Sequence, residues 1–178
     1  MMNFMSGAKL PAGEAWVLRP ACAEDLPAVL TLYKEQIGRP HCVWTDGYPG
    51  EQDITTDFSA GKLFVWGKGT EIVGAVAVVS ENELNELPFW EIPGENAVEL
   101  ARVAIRVASQ GQGYAQRMLS QLLEVLRLNS LLSGWKAVHL LAARENPAAV
   151  HLYEKLSFVR RGECAMFGNE YFGFEYVF

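Results

Sequence analysis

The chain has 178 residues, and a composition that is 50% hydrophobic and 11% aromatic excludes an intrinsically disordered protein. The formal net charge of −6 argues against duplex nucleic acid as the main partner, because such a protein needs a basic face. A neutral or cationic small substrate is easier to accommodate. No apolar run approaches the roughly 20 residues that span a bilayer, and we expect neither a membrane partner nor a signal peptide.

The cysteines give no sign of a disulfide framework or a zinc site. There are three of them, Cys22, Cys42 and Cys164, and they are odd in number and far apart in the sequence. We interpret them as reduced thiols of a cytoplasmic protein. No group of His, Cys and Asp has the spacing of metal ligands, so we expect no metal. The length fits a single domain over residues 1–178, with a loose tail over residues 1–11.

The first half of the chain is predicted to contain a strand, two helices and a hairpin. Apolar residues recur at helical spacing from Leu26 to Ile37, and Gly38 follows directly. Gly61 ends the second helix, and residues 67–70 turn the hairpin. In chain order the elements are a strand over residues 15–19, a helix over 24–37, a loop over 39–50, a helix over 51–60 and strands over 63–66 and 72–79.

The second half alternates strands and helices after a polar connection over residues 80–96. Its longest helix carries apolar residues on one stripe, the repeat of an amphipathic helix: Met118, Leu119, Leu122, Leu123 and Leu126. In chain order the elements are a strand over residues 97–107, a helix over 114–128, a strand over 137–142, a helix that begins at residue 147, and strands over 158–163 and 171–177.

A glycine turn joins the strand over residues 97–107 to the helix that follows it. The segment reads Gln110-Gly111-Gln112-Gly113-Tyr114-Ala115. Such a turn leaves several backbone N–H groups free at a helix N-terminus, and these donors attract a phosphate together with the helix dipole. Small residues at positions 113 and 115 let phosphates approach closely. An ordinary tight turn between a strand and a helix is the alternative.

A second motif lies at residues 146–158, where the sequence reads Asn-Pro-Ala-Ala-Val-His-Leu-Tyr-Glu-Lys-Leu-Ser-Phe. Asn146 suits the N-cap of a helix, because its side chain can accept a hydrogen bond from a backbone N–H in the first turn. Pro147 suits the first helical position, where its missing N–H costs nothing. The segment is therefore predicted to begin a helix with a well-defined start.

The two motifs together resemble those of the GNAT superfamily of acyl-CoA-dependent N-acetyltransferases. Gln110, Gly113 and Ala115 match the family's Arg/Gln-x-x-Gly-x-Gly/Ala turn, and the second motif matches its pattern of Asn, Leu-Tyr and Gly-Phe. Two residues depart from the common pattern. Gln110 stands where arginine is commoner, and Ser157 stands in place of a glycine that ends a helix, at a cost of roughly 1 kcal/mol. The resemblance is specific over residues 97–158.

The resemblance implies an α/β domain (α+β in some schemes) with a mixed, twisted central sheet of about six to seven strands, flanked by about four helices. It also implies acetyl-CoA as co-substrate, with backbone near Val103 holding the acetyl carbonyl. Asn146 would bond the pantetheine arm, although its capping role alone explains the residue type. The implied cofactor residues are Val103, Ala104, Ile105, Gln110, Gly111, Gln112, Gly113, Tyr114, Ala115 and Asn146.

Two residues are candidates for proton transfer. Tyr153 matches the family tyrosine near the cofactor sulfur, where a phenol can protonate the leaving thiolate; the alternative is a tyrosine that packs its helix on the sheet. Glu99 lies eleven residues before Gln110, the spacing of the catalytic glutamate in some members. It would take a proton from an ammonium substrate through water, with a pKa raised by its apolar strand. Alternatively Glu99 pairs with Arg102 or another arginine, or faces solvent at a strand edge.

The loop over residues 39–50 brings His41, Trp44, Asp46 and Tyr48 close together in sequence. In the family this region often forms one wall of the acceptor site, and aromatic and acidic groups suit an organic cation. We therefore assign Trp44, Asp46 and Tyr48 to substrate binding, with a packed polar loop as the alternative. The other histidines are interpreted differently: His139 fits a strand position without a ligand role, and His151 is expected at a helix surface.

The resulting hypothesis is an enzyme that transfers an acetyl group from acetyl-CoA to a primary amine of a small molecule by direct attack on the thioester. The spread of the cysteines gives no support for a covalent acetyl-enzyme. Two alternatives remain: a non-catalytic acyl-CoA-binding sensor or scaffold, and an enzyme that acetylates protein or peptide N-termini. A homodimer is compatible with the sequence, because such dimers are the commonest soluble oligomers.

Overall fold

The computed structural model describes residues 15–80 and 83–178, and the tail predicted over residues 1–11 lies outside the described residues. The strands are β1 (Val17–Pro20), β2 (Leu63–Lys68), β3 (Glu71–Val79), β4 (Ala97–Ile105), β5 (Ala137–Ala143), β6 (Val159–Met166) and β7 (Asn169–Val177). The α-helices in this part of the chain are α1 (Leu26–Lys34), α2 (Glu51–Ser59), α3 (Tyr114–Ser133) and α4 (Pro147–Lys155).

The strands are hydrogen-bonded neighbours in the order β1-β2-β3-β4-β5-β7-β6. Most of the pairs described are antiparallel, and β4 runs parallel to β5, so the sheet is mixed. This arrangement confirms the predicted α/β fold with its seven strands and four helices. No helix within the described ranges combines the length and the apolar composition needed to cross a membrane.

The chain forms two compact units, and β4 and α3 contribute residues to both. The first unit comprises residues 15–38, Trp44–Val78 and Arg102–Gln121, and the second comprises Arg39–Val43, Val79–Ala101 and Leu122–Phe178.

In the first unit, β1, β2 and β3 are consecutive antiparallel strands. A two-residue turn joins β2 to β3, and its Gly69 has a left-handed φ of +59°, which glycine adopts without steric cost. Burial of apolar side chains between these strands and the helices stabilises the unit. The core residues, each at most 6% exposed, are Val29, Leu32, Tyr33, Ile54, Leu63, Val65, Ile72, Ala75 and Ala104.

In the second unit, β5, β7 and β6 form antiparallel pairs, and β5 also pairs with β4 from Ala97 to Glu99. Glycines on β6 and β7 make room for the ring of Phe89, which belongs to the connection before β4. A Cβ at Gly162 would lie 2.5 Å from that ring, and one at Gly173 would lie 2.3 Å from it. The two strands therefore need glycine where the connection packs on them.

The amphipathic stripe predicted for the longest helix is confirmed. Its five apolar side chains are at most 8% exposed: Met118, Leu119, Leu122, Leu123 and Leu126. The helix continues to Ser133, beyond the predicted end at residue 128. Gly134 follows with a left-handed φ of +80°, and its N–H donates to the carbonyl of Ser130 at 2.9 Å. The helix therefore ends at a glycine, as helices commonly do.

The first helix is shorter than the predicted range of residues 24–37, since α1 covers Leu26–Lys34. A single 3-10 turn precedes it, in which the Asp25 carboxylate accepts the backbone N–H of Cys22 at 2.8 Å. The same carboxylate binds both terminal nitrogens of Arg19, at 2.5 and 2.9 Å. These local bonds stabilise the turn in place of the first helical residues.

The strand predicted over residues 97–107 ends two residues early, at Ile105. A 3-10 turn begins at Val107, whose backbone N–H donates to the Glu35 carboxylate at 3.1 Å. The other Glu35 oxygen accepts from the Arg106 guanidinium, also at 3.1 Å. Glu35, which follows α1, therefore binds Arg106 and Val107 just beyond the end of β4.

Ser157 has the left-handed conformation that the sequence predicts for a helix end, with φ of +67°. The N–H of Phe158 donates to the carbonyl of Tyr153 at 3.0 Å, which closes the last turn of α4. A serine in this conformation carries a steric cost that glycine lacks.

Replacing Ser157 with Gly should therefore raise the free energy of unfolding by about 1 kcal/mol. Chemical denaturation of the wild type and the variant measures the change. Ser120→Gly, at an exposed position inside α3, serves as the control and should lower the free energy of unfolding by about 1 kcal/mol. A destabilising Ser157→Gly would show that serine makes a compensating interaction at this helix end.

Candidate active site

The glycine turn adopts the conformation that its sequence requires. Gly111 and Gly113 have φ values of +76° and +73°, and a Cβ at either position would meet nothing within 4 Å. Backbone conformation, and not crowding, therefore accounts for these glycines. α3 begins at Tyr114. Its first helical hydrogen bond, from an N–H to the carbonyl four residues earlier, joins Arg117 to Gly113 at 3.1 Å. The N–H groups of residues 113–116 therefore have no partner inside the helix.

Gln110 contributes a side chain that holds the turn in place. Its Nε2 donates to the Ile105 carbonyl at 3.1 Å and to the Gln36 side-chain oxygen at 3.0 Å. Gln36 donates to the same Ile105 carbonyl at 3.1 Å, so both lone pairs of that oxygen are occupied. The turn is thereby tied to the end of β4 and to the residues that follow α1.

Three aromatic rings surround the start of α3. The ring of Tyr114 lies 4.9 Å from that of Trp16 and 5.1 Å from that of Trp66, measured between centroids. The two tryptophans are stacked at 4.8 Å. Such contacts fix the position of Tyr114, the first residue of the helix, and with it the direction of the free N–H groups.

β4 departs from regular strand geometry at Arg102, whose φ is +52°. The alternation of buried and exposed positions also breaks there: Leu100 and Ala101 are both buried, whereas Arg102 and Val103 are both half-buried. Of the remaining predicted acetyl-binding positions, Ala104 and Ile105 are 5% and 6% exposed. Their side chains belong to the core, so only their backbone groups are available to a ligand.

The side chain of Arg102 forms a bidentate ion pair with Asp57 on α2. The guanidinium Nε and Nη2 donate to the two carboxylate oxygens at 2.8 and 2.7 Å. The side chains are only 12% and 6% exposed. Burial disfavours the charge on Arg102, but the adjacent carboxylate raises its pKa above the ordinary value. Arg102 therefore has Asp57 as its ion-pair partner.

The predicted acceptor residues lie in the loop between α1 and α2. Trp44 contacts Tyr33 edge to face at 5.4 Å, and the Tyr48 hydroxyl accepts from Arg102 Nη1 at 3.1 Å. Asp46 is exposed, and its backbone carbonyl accepts from the Lys34 ammonium at 2.6 Å. Trp44 and Tyr48 therefore lie beside core and β4 residues of the same unit, and Asp46 faces solvent.

In the second unit, Glu99 is half-buried and lies opposite His139 of β5 in the parallel ladder. His139 is fully buried and stacks on Trp90, with ring centroids 4.1 Å apart. Its Nε2 donates to Glu175 at 3.1 Å. Burial lowers the pKa of His139, so its neutral form prevails at neutral pH.

Asn146 and Tyr153 lie at the start and near the end of α4. The Asn146 side chain accepts the Ala149 N–H at 3.0 Å, which confirms its predicted capping role. The ring of Tyr153 is 6% exposed and packs near Phe158 and Phe174, at centroid distances of 5.7 and 5.9 Å. Burial raises the pKa of the Tyr153 phenol, so it keeps its proton at neutral and moderately alkaline pH.

An open cleft in the second unit contains none of the predicted site residues. Its lining residues are Ser80, Asn85, Glu86, Gly94, Glu95, Ala97 and Trp135. Within residues 15–80 and 83–178, no three His, Cys, Asp or Glu side chains are arranged to hold a metal ion.

The family of the chain follows from a sequence comparison. The family model described as "Acetyltransferase (GNAT) family" matches residues 28–158. The chain belongs to the GNAT acetyltransferase family. It is therefore an acyltransferase. A search of curated proteins gave no significant match.

Solved GNAT structures share the fold at low sequence identity. A GNAT acetyltransferase from Streptococcus agalactiae 2603 has a TM-score of 0.77 at 20% identity, covering 91% of this chain and 95% of that one. The yncA structure from Salmonella typhimurium, solved with acetyl-CoA, has a TM-score of 0.72 at 17% identity, with 92% and 94% covered. Ribosomal-protein-alanine N-acetyltransferase from Brucella melitensis has a TM-score of 0.71 at 17% identity, with 91% and 99% covered.

Sequence reasoning missed the distant partners of Arg102 and of Gln110. Asp57 and Arg102 are 45 residues apart, and no local pattern connects them. Gln36 lies in the turns that follow α1, within the range predicted to be helical, and 74 residues separate it from Gln110. The charge of Arg102 on a largely apolar strand was the available signal, because a half-buried charge needs a partner.

The two roles proposed for Asn146 can be separated by two substitutions. Asn146→Ala removes the cap and should lower the free energy of unfolding by about 1 kcal/mol. Asn146→Asp keeps a side-chain oxygen that accepts the Ala149 N–H, so the free energy of unfolding should stay unchanged. If the amide also bonds the pantetheine arm, both variants should weaken acetyl-CoA binding about fivefold. Denaturation and calorimetric titration measure the two effects. Wild-type affinity in Asn146→Asp would show that the residue only caps α4.

Proposed function

We propose that this GNAT enzyme transfers an acetyl group from acetyl-CoA to a primary amine of a small molecule. The observation that carries the proposal is the turn at residues 110–115, where two left-handed glycines lead into a helix whose first N–H groups have no internal partner. Such an N-terminus is suited to a pyrophosphate. The yncA protein, similar in fold, was solved with acetyl-CoA, which supports the same donor here.

In the proposed reaction the amine nitrogen attacks the carbonyl carbon of the thioester directly. A C–N bond forms and the C–S bond breaks, with the negative charge passing from the carbonyl oxygen to the leaving sulfur. The backbone N–H of Val103 donates to the carbonyl oxygen as that charge develops. Glu99 takes one proton from the ammonium through water before the attack, and the second proton that the nitrogen loses after the attack passes to solvent. Tyr153 gives a proton to the thiolate and regains one from solvent. The raised pKa of Tyr153 keeps it in the donating form.

Direct attack is favoured over a covalent acetyl-enzyme by the state of the cysteines. Cys22, Cys42 and Cys164 are free thiols. Burial raises the pKa of Cys164, and partial desolvation together with a hydrogen bond to Asp25 raises that of the exposed Cys22, so both stay in the weakly nucleophilic thiol form. Free thiols also support the proposal that the protein works in the reducing cytoplasm.

The proposed acceptor is small because the residues of the loop over 39–50 suit a compact cation. Trp44 and Tyr48 supply aromatic rings and Asp46 an exposed carboxylate. A protein N-terminus is the second candidate, since a structural relative is named as a ribosomal-protein-alanine N-acetyltransferase. A non-catalytic acyl-CoA-binding protein is less well supported, because Tyr153 and Glu99 are both retained.

Thermal unfolding with and without ligands tests the donor. Acetyl-CoA and free CoA should both raise the unfolding midpoint, and ATP should raise it less, because a protein is stabilised by what binds its folded state. Release of free CoA thiol is then followed with a panel of small amines and a panel of peptides. Absence of a midpoint shift with either CoA compound would overturn the donor assignment, and turnover with peptides alone would favour the protein acceptor.

The two proton-transfer residues are tested by substitutions that preserve shape. Tyr153→Phe should lower kcat about 10- to 100-fold and leave the acetyl-CoA midpoint shift intact. In the wild type, protonation of Glu99 would stop it from accepting a proton and so lower kcat/KM at acidic pH. Glu99→Gln should remove this acidic limb of the pH profile, because glutamine does not titrate. His151→Gln, at an exposed position on α4, is the control and should change neither kcat nor the pH profile of kcat/KM. Unchanged turnover in Tyr153→Phe, or an unaltered profile in Glu99→Gln, would remove that residue from the mechanism.

A further inference from the structure

Arg102 is an unusual residue to find in a left-handed conformation. Its φ of +52° lies inside β4, where L residues other than glycine rarely adopt such values. Conformations of this kind persist only where the surroundings enforce them, and they concentrate at functional sites. The residue that follows is Val103, whose backbone N–H is the proposed donor to the acetyl carbonyl.

The conformation of Arg102 determines the direction of that donor. The Val103 N–H belongs to the peptide plane between the two residues, and the dihedrals of Arg102 set the orientation of this plane relative to the preceding strand. In a regular strand the N–H groups point alternately to the two neighbouring strands. A left-handed residue breaks that alternation, so the next N–H takes another direction than the ladder would give it.

The Arg102 side chain is bound firmly on α2. Its guanidinium donates to both oxygens of Asp57 at 2.7 and 2.8 Å, and to the Tyr48 hydroxyl at 3.1 Å. α2 itself is fixed by Ile54, which is 2% exposed in the core. Bidentate charge-assisted bonds are both strong and directional, so they limit how far the backbone of Arg102 can rotate.

We propose that Asp57 is a positioning residue whose ion pair with Arg102 holds the left-handed bend in β4 and so aims the Val103 N–H at the acetyl carbonyl. The role rests on the proposed function, because it assigns the acetyl carbonyl to Val103. Asp57 touches no reacting atom and acts through Arg102 alone. Its effect should therefore appear in kcat, where the developing oxyanion is stabilised, and hardly in the KM for acetyl-CoA.

A different role for Arg102 would be a direct one, in which its charge binds the acceptor. The two roles predict opposite results for glycine. Glycine adopts a left-handed φ without steric cost, so Arg102→Gly can keep the bend without the ion pair. Arg102→Ala also loses the ion pair, but alanine adopts a left-handed φ only at a cost. A positioning role therefore predicts that Gly at this position rescues turnover relative to Ala. A charge role predicts that both fail equally and that Arg102→Lys is the active variant.

The experiment compares kcat and KM of the wild type with Asp57→Asn, Arg102→Ala, Arg102→Gly and Arg102→Lys. Asp57→Asn and Arg102→Ala should lower kcat about 10- to 100-fold with the acetyl-CoA KM changed less than about threefold. Arg102→Gly should recover at least about tenfold over Arg102→Ala. Adding Asp57→Asn to Arg102→Gly should have no further effect, since the ion pair is already absent.

A control variant breaks a comparable ion pair elsewhere in the unit. Arg19 binds Asp25 in bidentate fashion at 2.5 and 2.9 Å, with side chains 25% and 8% exposed. Arg19→Ala should lower the unfolding midpoint as much as Arg102→Gly does and leave kcat unchanged. Equal kcat in Asp57→Asn and the wild type, or equal loss in Arg102→Gly and Arg102→Ala, would overturn the positioning role.

A second measurement judges the proposal without turnover. In nitrogen-15-labelled wild type, the amide resonance of Val103 should differ between the acetyl-CoA and CoA complexes, because only the former offers a carbonyl. Asp57→Asn should lose that difference while retaining the midpoint shift with CoA. An unchanged difference in Asp57→Asn would overturn the role of Asp57 alone. A wild type that binds neither compound would instead overturn the proposed function and, with it, the assignment of Val103.

Discussion

The left-handed bend in β4 is a constraint that the neighbouring elements must satisfy. A non-glycine residue in this conformation costs on the order of 1 to 2 kcal/mol, and burying an ion pair is itself expensive unless its donors find acceptors. Arg102 meets that condition through both oxygens of Asp57 and the hydroxyl of Tyr48. The position of α2, which carries Asp57, and the path of the loop that carries Tyr48 are thus linked to the shape of the strand. A pair of apolar residues could fill the same space but could not fix one backbone conformation in this way.

The second unit uses a buried carboxylate for a similar purpose. Glu175 is fully buried on β7, and it accepts from His139 at 3.1 Å, from the Ile92 N–H at 2.9 Å and from Arg161 at 2.6 Å. Three donors compensate its desolvation. One of these contacts, the bond from the Ile92 N–H, and the stacking of Trp90 on His139 together bind the connection before β4 to the sheet. A segment whose described residues form only short 3-10 turns is therefore held by specific polar bonds.

The sequence predicted those features that depend on neighbouring residues. The helical repeat of α3, the cap at Asn146 and the left-handed end at Ser157 each follow from a pattern a few residues long, and each is confirmed. The ion pair of Asp57 with Arg102 and the buried bonds of Glu175 could not be predicted from local patterns. Asp57 and Arg102 lie 45 residues apart, and the partners of Glu175 lie 14 to 83 residues from it. The predicted end of β4 was wrong for the same reason. β4 ends early where Glu35, distant in sequence, binds the Val107 N–H.

Gln110 shows why the turn tolerates a change at its first position. If the turn binds phosphate through N–H groups of residues 113–116, the backbone conformation is essential and the side chain at position 110 is free to change. Here that side chain donates to the Ile105 carbonyl and to Gln36, and it thereby joins the turn, the end of β4 and the segment after α1. An arginine at the same position carries a charge that would have to be compensated beside the buried Ile105. Glutamine achieves the same connection as a neutral amide, and the choice of residue then reflects how the turn is anchored more than how the anion is bound.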